Sequence, residues 1–117
     1  MCLNLVKDKG LQDYIHFVGY DDNPYRWMKF CDCFVLPSRI EGLPNVLVEA
    51  MYLGRPVVAT KCIPFISRMV DDGKNGIICE TENPQALANA MIKAVDLKKI
   101  KMTYKPSTAD DFIKIFN

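Results

Sequence analysis

Short apolar runs such as "CFVL" at 33–36 and "PVVA" at 56–59 contain no polar alternation. A strand of that kind must be covered on both faces, which points to a parallel sheet with helices on each side. Between these runs lie amphipathic stretches, and the two alternate at short intervals. Such alternation marks βαβ units, so the expected fold class is α/β, a Rossmann-like parallel sheet flanked by helices. With 117 residues, 50% of them hydrophobic, the chain is one domain's worth. A chain of this size buries roughly two thirds of the surface exposed when unfolded.

The pattern predicts helices over 3–9, 24–31 and 44–53, with Asn23 capping the second and Pro44 at the first position of the third. Strands are expected over 14–18, 33–36, 56–60 and 76–79, with a turn or short helix over 65–70 and a turn at "DDGKNG". The clearest helix begins with Asn83 as cap and Pro84 at the first position, where a proline's missing N–H costs nothing. Leu87, Ala88, Met91, Ile92 and Val95 form its apolar face. Residues 1–97 are read as the domain and 98–117 as a basic tail. The tail is expected to end in a short helix after Ser107, with Phe112, Ile115 and Phe116 on its apolar side.

Composition narrows the function. The formal net charge is +1 and charges are interspersed, which disfavours nucleic acid as a partner. No apolar run approaches a membrane span, and the first ten residues lack a signal-peptide core. A cytoplasmic chain is expected, with any contact to the inner face of the membrane made through other parts of the protein. Five cysteines without a C-x-x-C pair, beside the single His16, favour free, mostly buried thiols over disulfides or a metal site. His16 is read as packed within a strand, and Trp27 as a helix-packing residue spaced with Pro24, Met28 and Cys31.

Ligands of open parallel sheets sit outside the carboxyl ends of the strands. "SRIEGLPNVLVEA" lies at such an end, with Glu41 and Glu49 on either side of a Gly-Leu-Pro turn. With Pro44 at the first helical position, Leu43 falls at the N-cap and offers no oxygen to the first backbone N–H groups. An uncapped helix start facing a crevice suits a phosphate, and Gly42 clears the backbone for its approach. Glu41 beside an anion is better matched to a sugar hydroxyl. Glu49, roughly 7 to 8 Å along the axis at 1.5 Å per residue, stands at the reach of a ribose. Asn45 shares its edge of the helix, while Val46, Leu47, Ala50 and Met51 point to the core. On spacing alone an equal reading stands: Glu49 as a solvated helix residue and Glu41 as the partner of Arg39.

"EGLPNVLVE", together with the run from "FVGYDDNPYRWMKFCDCFVLPS" through "DDGKNGIICETENPQALANAM", resembles the donor-binding domain of family-4 retaining glycosyltransferases of GT-B fold. The likeness covers about residues 3–95 and is greatest to members that build capsule, O-antigen and other lipid-linked glycans. It implies transfer of a hexose or N-acetylhexosamine from a UDP- or GDP-sugar to a glycan or lipid-linked acceptor, with no metal and no other cofactor. Glu41 and Glu49 become the catalytic-site pair, Glu41 on the donor sugar and Glu49 on the ribose. Gly42, Leu43, Pro44, Asn45 and Val46 form the diphosphate-binding turn and helix start, and Gly19 and Tyr20 lie along the nucleobase. Same-face attack with leaving-group stabilisation is the mechanism implied, so Glu41 positions the donor rather than attacking it.

The family's first donor-domain strands, its Arg/Lys pair and its acceptor domain have no counterpart in these 117 residues. The chain is therefore expected to be inactive alone, with the acceptor held by an N-terminal domain or separate subunit. A noncatalytic nucleotide-sugar-binding subunit and a remnant without activity are the alternatives. If the strand order follows 3-2-1-4-5-6, the 33–36, 56–60 and 76–79 strands form one parallel ladder, and 14–18 stays apart from 56–60.

Overall fold

The computed structural model describes residues 2–42 and 44–97. Leu43 and the 98–117 tail, with the helix expected after Ser107, lie outside the described residues. The elements run α1 (Cys2–Asp8), α2 (Tyr25–Phe30), β1 (Phe34–Leu36), α3 (Asn45–Tyr52), β2 (Val57–Thr60), α4 (Ile66–Met69), β3 (Gly76–Cys79) and α5 (Pro84–Leu97). All three strands are parallel and ordered β1-β2-β3. Phe34 pairs with Val57, and Val57 in turn with Gly76. This is the ladder expected from the apolar runs.

Every residue of β2 is buried, and its side chains alternate between two apolar layers. Val57 and Ala59 join Leu47, Met51, Ile66 and Met69 on one face. Val58 meets Ala90 and Ala94 of α5 on the other. Covering both faces is what lets a strand dispense with polar positions.

α3 stops where Gly54 takes φ +77° and donates its N–H to Met51 O at 2.9 Å, a left-handed cap that costs glycine little. Between α4 and β3, the "DDGKNG" turn closes through side chains: Asn75 Oδ1 accepts from Asp71 N–H and Asp72 Oδ1 from Ile78 N–H, both at 2.8 Å. Asn75 is buried, doing more than filling a turn. Gly76 is dictated by packing, because a Cβ there would lie 2.4 Å from Val57 O.

Several expectations need correction. No strand forms over 14–18: residues 12–20 are exposed, irregular backbone, and His16 faces solvent with them. A strand persists through its partner's hydrogen bonds, and among the described residues none pairs with this segment. Ile15 and Phe17 instead line a cavity of about 390 Å³ with Leu3 and Val6 of α1. α2 and α3 each begin one residue late, with Pro24 and Pro44 at the N-caps and no side-chain cap on either. Asn23 therefore does not cap α2; its N–H donates to Asp21 Oδ1 at 2.9 Å.

Asn83 does cap α5, accepting from Ala86 N–H at 3.0 Å. Of the expected α5 face, Leu87 does pack half-buried against the inner layer, but Ala88, Met91, Ile92 and Val95 are exposed, and the buried residues are Ala90, Ala94 and Leu97. Small residues let the helix lie close over Val58 and Cys79. On α3, Val48 is buried and Val46 only half so. All five thiols are free; Cys62 and Cys79 are buried, Cys31 and Cys33 half-buried, and Cys2 exposed.

Candidate functional site

The strand ends are knitted together by hydrogen bonds from the loops that leave them. Thr60, buried at the end of β2, donates its hydroxyl to Ser38 O and to Leu36 O, tying the loop after β1 to its neighbour. Glu41 N–H donates to Cys62 O at 3.1 Å, which holds the glutamate turn against the loop after β2. Lys61 N–H reaches Cys79 O at 2.9 Å, while its ammonium pairs with Glu80. Arg39 Nε lies 3.1 Å from Glu82. The Arg39–Glu41 pair allowed by spacing is thus not formed, and among the described residues no ion pair reaches Glu41.

Beneath these loops is a cavity of about 530 Å³ lined by Arg39, Ile40, Lys61, Cys62, Pro64 and Ile78. Neither glutamate lines it. Both are half-buried, Glu41 in the loop that leads to α3 and Glu49 within that helix. Gly42 is exposed, a Cβ on it would meet nothing within 4 Å, and its φ is not in the left-handed region. No contact and no backbone strain within the described residues asks for glycine there. Open space at the backbone is what an approaching ligand needs.

The start of α3 remains without a side-chain cap, as expected, although the capping position is Pro44 rather than Leu43. Pro44 O accepts from Leu47 N–H at 3.0 Å, and proline has no N–H of its own. Asn45 is exposed and Val46 half-buried at this start. Beginning the helix at Asn45 shortens the axial separation to Glu49 to about 6 Å. The dipole at such an end favours a negative charge.

Glu49 has a partner that the sequence did not announce. Tyr25, the first residue of α2, donates its hydroxyl to Glu49 Oε1 at 3.2 Å. The carboxylate's charge, and then the hydrogen bond, raise the phenol above the usual tyrosine range. Nothing in local periodicity marks a contact 24 residues apart.

Gly19 and Tyr20, the expected nucleobase loop, precede a second polar cluster. Gly19 has φ +72°, so its glycine serves backbone conformation, and Tyr20 is 92% exposed. Just after them Asp21 Oδ2 accepts from Arg26 Nε and Trp27 Nε1, each at 2.8 Å. The Asn23 amide, then the Trp27 indole and the Arg26 guanidinium, hold the Asp21 carboxyl below its usual range. Trp27 is half-exposed and acts through its N–H as well as its ring. The structure therefore brings Glu41, Gly42, Pro44, Asn45, Val46 and Glu49 onto one segment, and joins it through Tyr25 to the helix that follows Gly19 and Tyr20.

Comparison with known proteins matches residues 2–96 to the sequence model of a family described as "Glycosyl transferases group 1". An uncharacterised glycosyltransferase of Haemophilus influenzae is 34% identical over 94 residues, 80% of this chain and 26% of the relative. The lipopolysaccharide core biosynthesis mannosyltransferase LpsB of Rhizobium meliloti is 38% identical over 93 residues, 78% of this chain and 26% of that protein. Among solved structures, Anabaena HepE in complex with UDP superposes with a TM-score of 0.73 at 28% identity, over 83% of this chain and 29% of that one. The chain thus spans about a quarter of the length of these curated relatives. No helix among the described residues is long and apolar enough to cross a membrane.

Proposed function

This chain belongs to the glycosyl transferases group 1 family, with a GT-B-type α/β fold, and on that premise we propose that its strand-end rim binds the nucleotide-sugar donor of a retaining glycosyl transfer. In this reading the diphosphate lies at the start of α3, where Gly42 leaves the backbone open and no side chain caps Asn45 and Val46. Leu43 belongs to the same turn. Glu41 holds hydroxyls of the transferred sugar, and Glu49 accepts from the ribose. Gly19 and Tyr20 flank the base.

The single observation that carries this reading is the pairing, on one short helix, of an uncapped start beside an open glycine with a half-buried glutamate about one turn on. A core helix residue has no need of that carboxylate. The sugar is a hexose or N-acetylhexosamine, its nucleotide UDP or GDP, and the acceptor a glycan or lipid-linked glycan at the cytoplasmic face. LpsB, by name a mannosyltransferase, supports a hexose, and HepE, solved in complex with UDP, supports UDP as the nucleotide. Positioning of the donor and stabilisation of its leaving diphosphate are the tasks assigned to these residues, without a metal or other cofactor.

Calorimetry with UDP tests the reading. Glu49→Ala is expected to cost about 1.5 to 3 kcal/mol of binding, the loss of hydrogen bonds to a charged group. Equal affinities for the two proteins would return Glu49 to the solvated face of its helix. Incubated with labelled UDP- and GDP-sugars and lipid-diphosphate acceptors, the 117 residues alone are expected to bind donor without transferring it, because the rim holds the donor only.

A further inference from the structure

The hydrogen bond from Tyr25 to Glu49 Oε1 joins α2 to α3 at a place where neither helix needs it for burial. α3 is anchored by Leu47, Val48, Ala50 and Met51, and α2 by Met28, which shares their cluster. Tyr25 is 45% exposed and Glu49 half-buried, so the bond lies at the open side of this contact. Its donor is nonetheless well placed. Asp21, held by Arg26 and Trp27, fixes the first turn of α2 from which Tyr25 projects.

A glutamate side chain has three rotatable bonds, and ordering it on ligand binding costs conformational entropy. A neighbour that orders it beforehand removes that cost. The phenol occupies one carboxylate oxygen, and an ionised carboxylate has room for about four hydrogen bonds over its two oxygens. Oε2 is left to accept others. Tyrosine suits the task because it brings no positive charge that would compete with the ligand for the carboxylate.

We propose that Tyr25 is a positioning residue for donor binding: its hydroxyl holds the Glu49 carboxylate in place so that Oε2 is presented to the ribose hydroxyls. This rests on the ribose-binding assignment of Glu49 above. The raised phenol is consistent with it, since the proton stays on Tyr25 and the charge on Glu49.

The test uses the full chain, with UDP and its 2′,3′-dideoxy analogue as probes. Tyr25→Phe keeps the ring and is expected to weaken UDP about five- to tenfold. It should leave the dideoxy analogue, which lacks the ribose hydroxyls, unchanged. In a Glu49→Ala background Tyr25→Phe should have no further effect. Without any ligand, ultraviolet difference titration of wild type against Tyr25→Phe should show the Tyr25 phenol ionising at lower pH once Glu49→Gln is introduced.

UDP affinity unchanged by Tyr25→Phe but reduced by Glu49→Ala overturns the positioning role and leaves the donor site intact. Equal weakening of both probes overturns it too, in favour of a purely structural bond, as does a phenol that ignores Glu49→Gln. UDP bound equally by wild type and Glu49→Ala, or not bound by the wild type, overturns the donor assignment itself.

Discussion

α3 and α2 meet at Glu49 and Tyr25, yet they are held in place by different forces. α3 buries four of its eight residues against β2, and Leu47 has no exposed surface at all. α2 buries one of six, Met28, and leaves Phe30 at 77% and Trp27 at 51% exposure. What orders its first turn is the Asp21 carboxylate with its two side-chain donors. Apolar burial carries no charge for pH to titrate or for salt to screen; a cluster of charge-assisted hydrogen bonds at the surface is sensitive to both. One side of the candidate site is thus part of the core, and the other is a polar attachment to it.

The largest effect should come from the core side. Leu47→Ala is expected to cost about 2 to 5 kcal/mol in urea unfolding, through lost burial and the cavity left behind. A cost no greater than that of breaking the Asp21 cluster would abolish the contrast between the helices. Gly76→Ala probes how rigid the layer behind α3 is, since the new methyl meets Val57 O and the side chains of Val57 and Val70. About 1 to 3 kcal/mol of destabilisation is expected from such overpacking against backbone. A neutral result would mean that the sheet yields where its packing says that it should not.

The smallest and most local effect belongs to α2. Asp21→Asn should raise hydrogen exchange of the 19–27 backbone while leaving α3 protected. Because folding lowers the Asp21 pKa, its contribution is present above the ordinary aspartate value of 3.8 and fades as pH falls through the folded value. The stability difference between wild type and Asp21→Asn should therefore be flat above about pH 5 and shrink below about pH 4. A difference that grows on acidification would reverse the assignment of the cluster.

The two sides were also unequally legible. The apolar runs of β1 and β2 and the periodicity of α3 announce the core side, because burial on both faces leaves its mark on every residue of a strand. On the α2 side, Trp27 at helical spacing with Met28 reads as packing, yet only Met28 is buried. An indole has an apolar body and one N–H, and spacing cannot say which of them finds a partner. Part of the α5 face departs from its periodicity for a related reason. Met91, Ile92 and Val95 are larger than Ala90 and Ala94, but close approach over Val58 and Cys79 favours the smaller pair.

Local chemistry settled the parallel α/β ladder, the Asn83 cap of α5 and the uncapped start of α3. Each is written in a few neighbouring residues, since strand burial, capping and helix dipoles act over a turn or less. Tertiary structure alone decided that residues 14–18 form no strand, that Arg39 turns to Glu82, and that Tyr25 meets Glu49. Those outcomes depend on which distant group arrives within about 3.2 Å, and a hydrogen bond fades quickly beyond that.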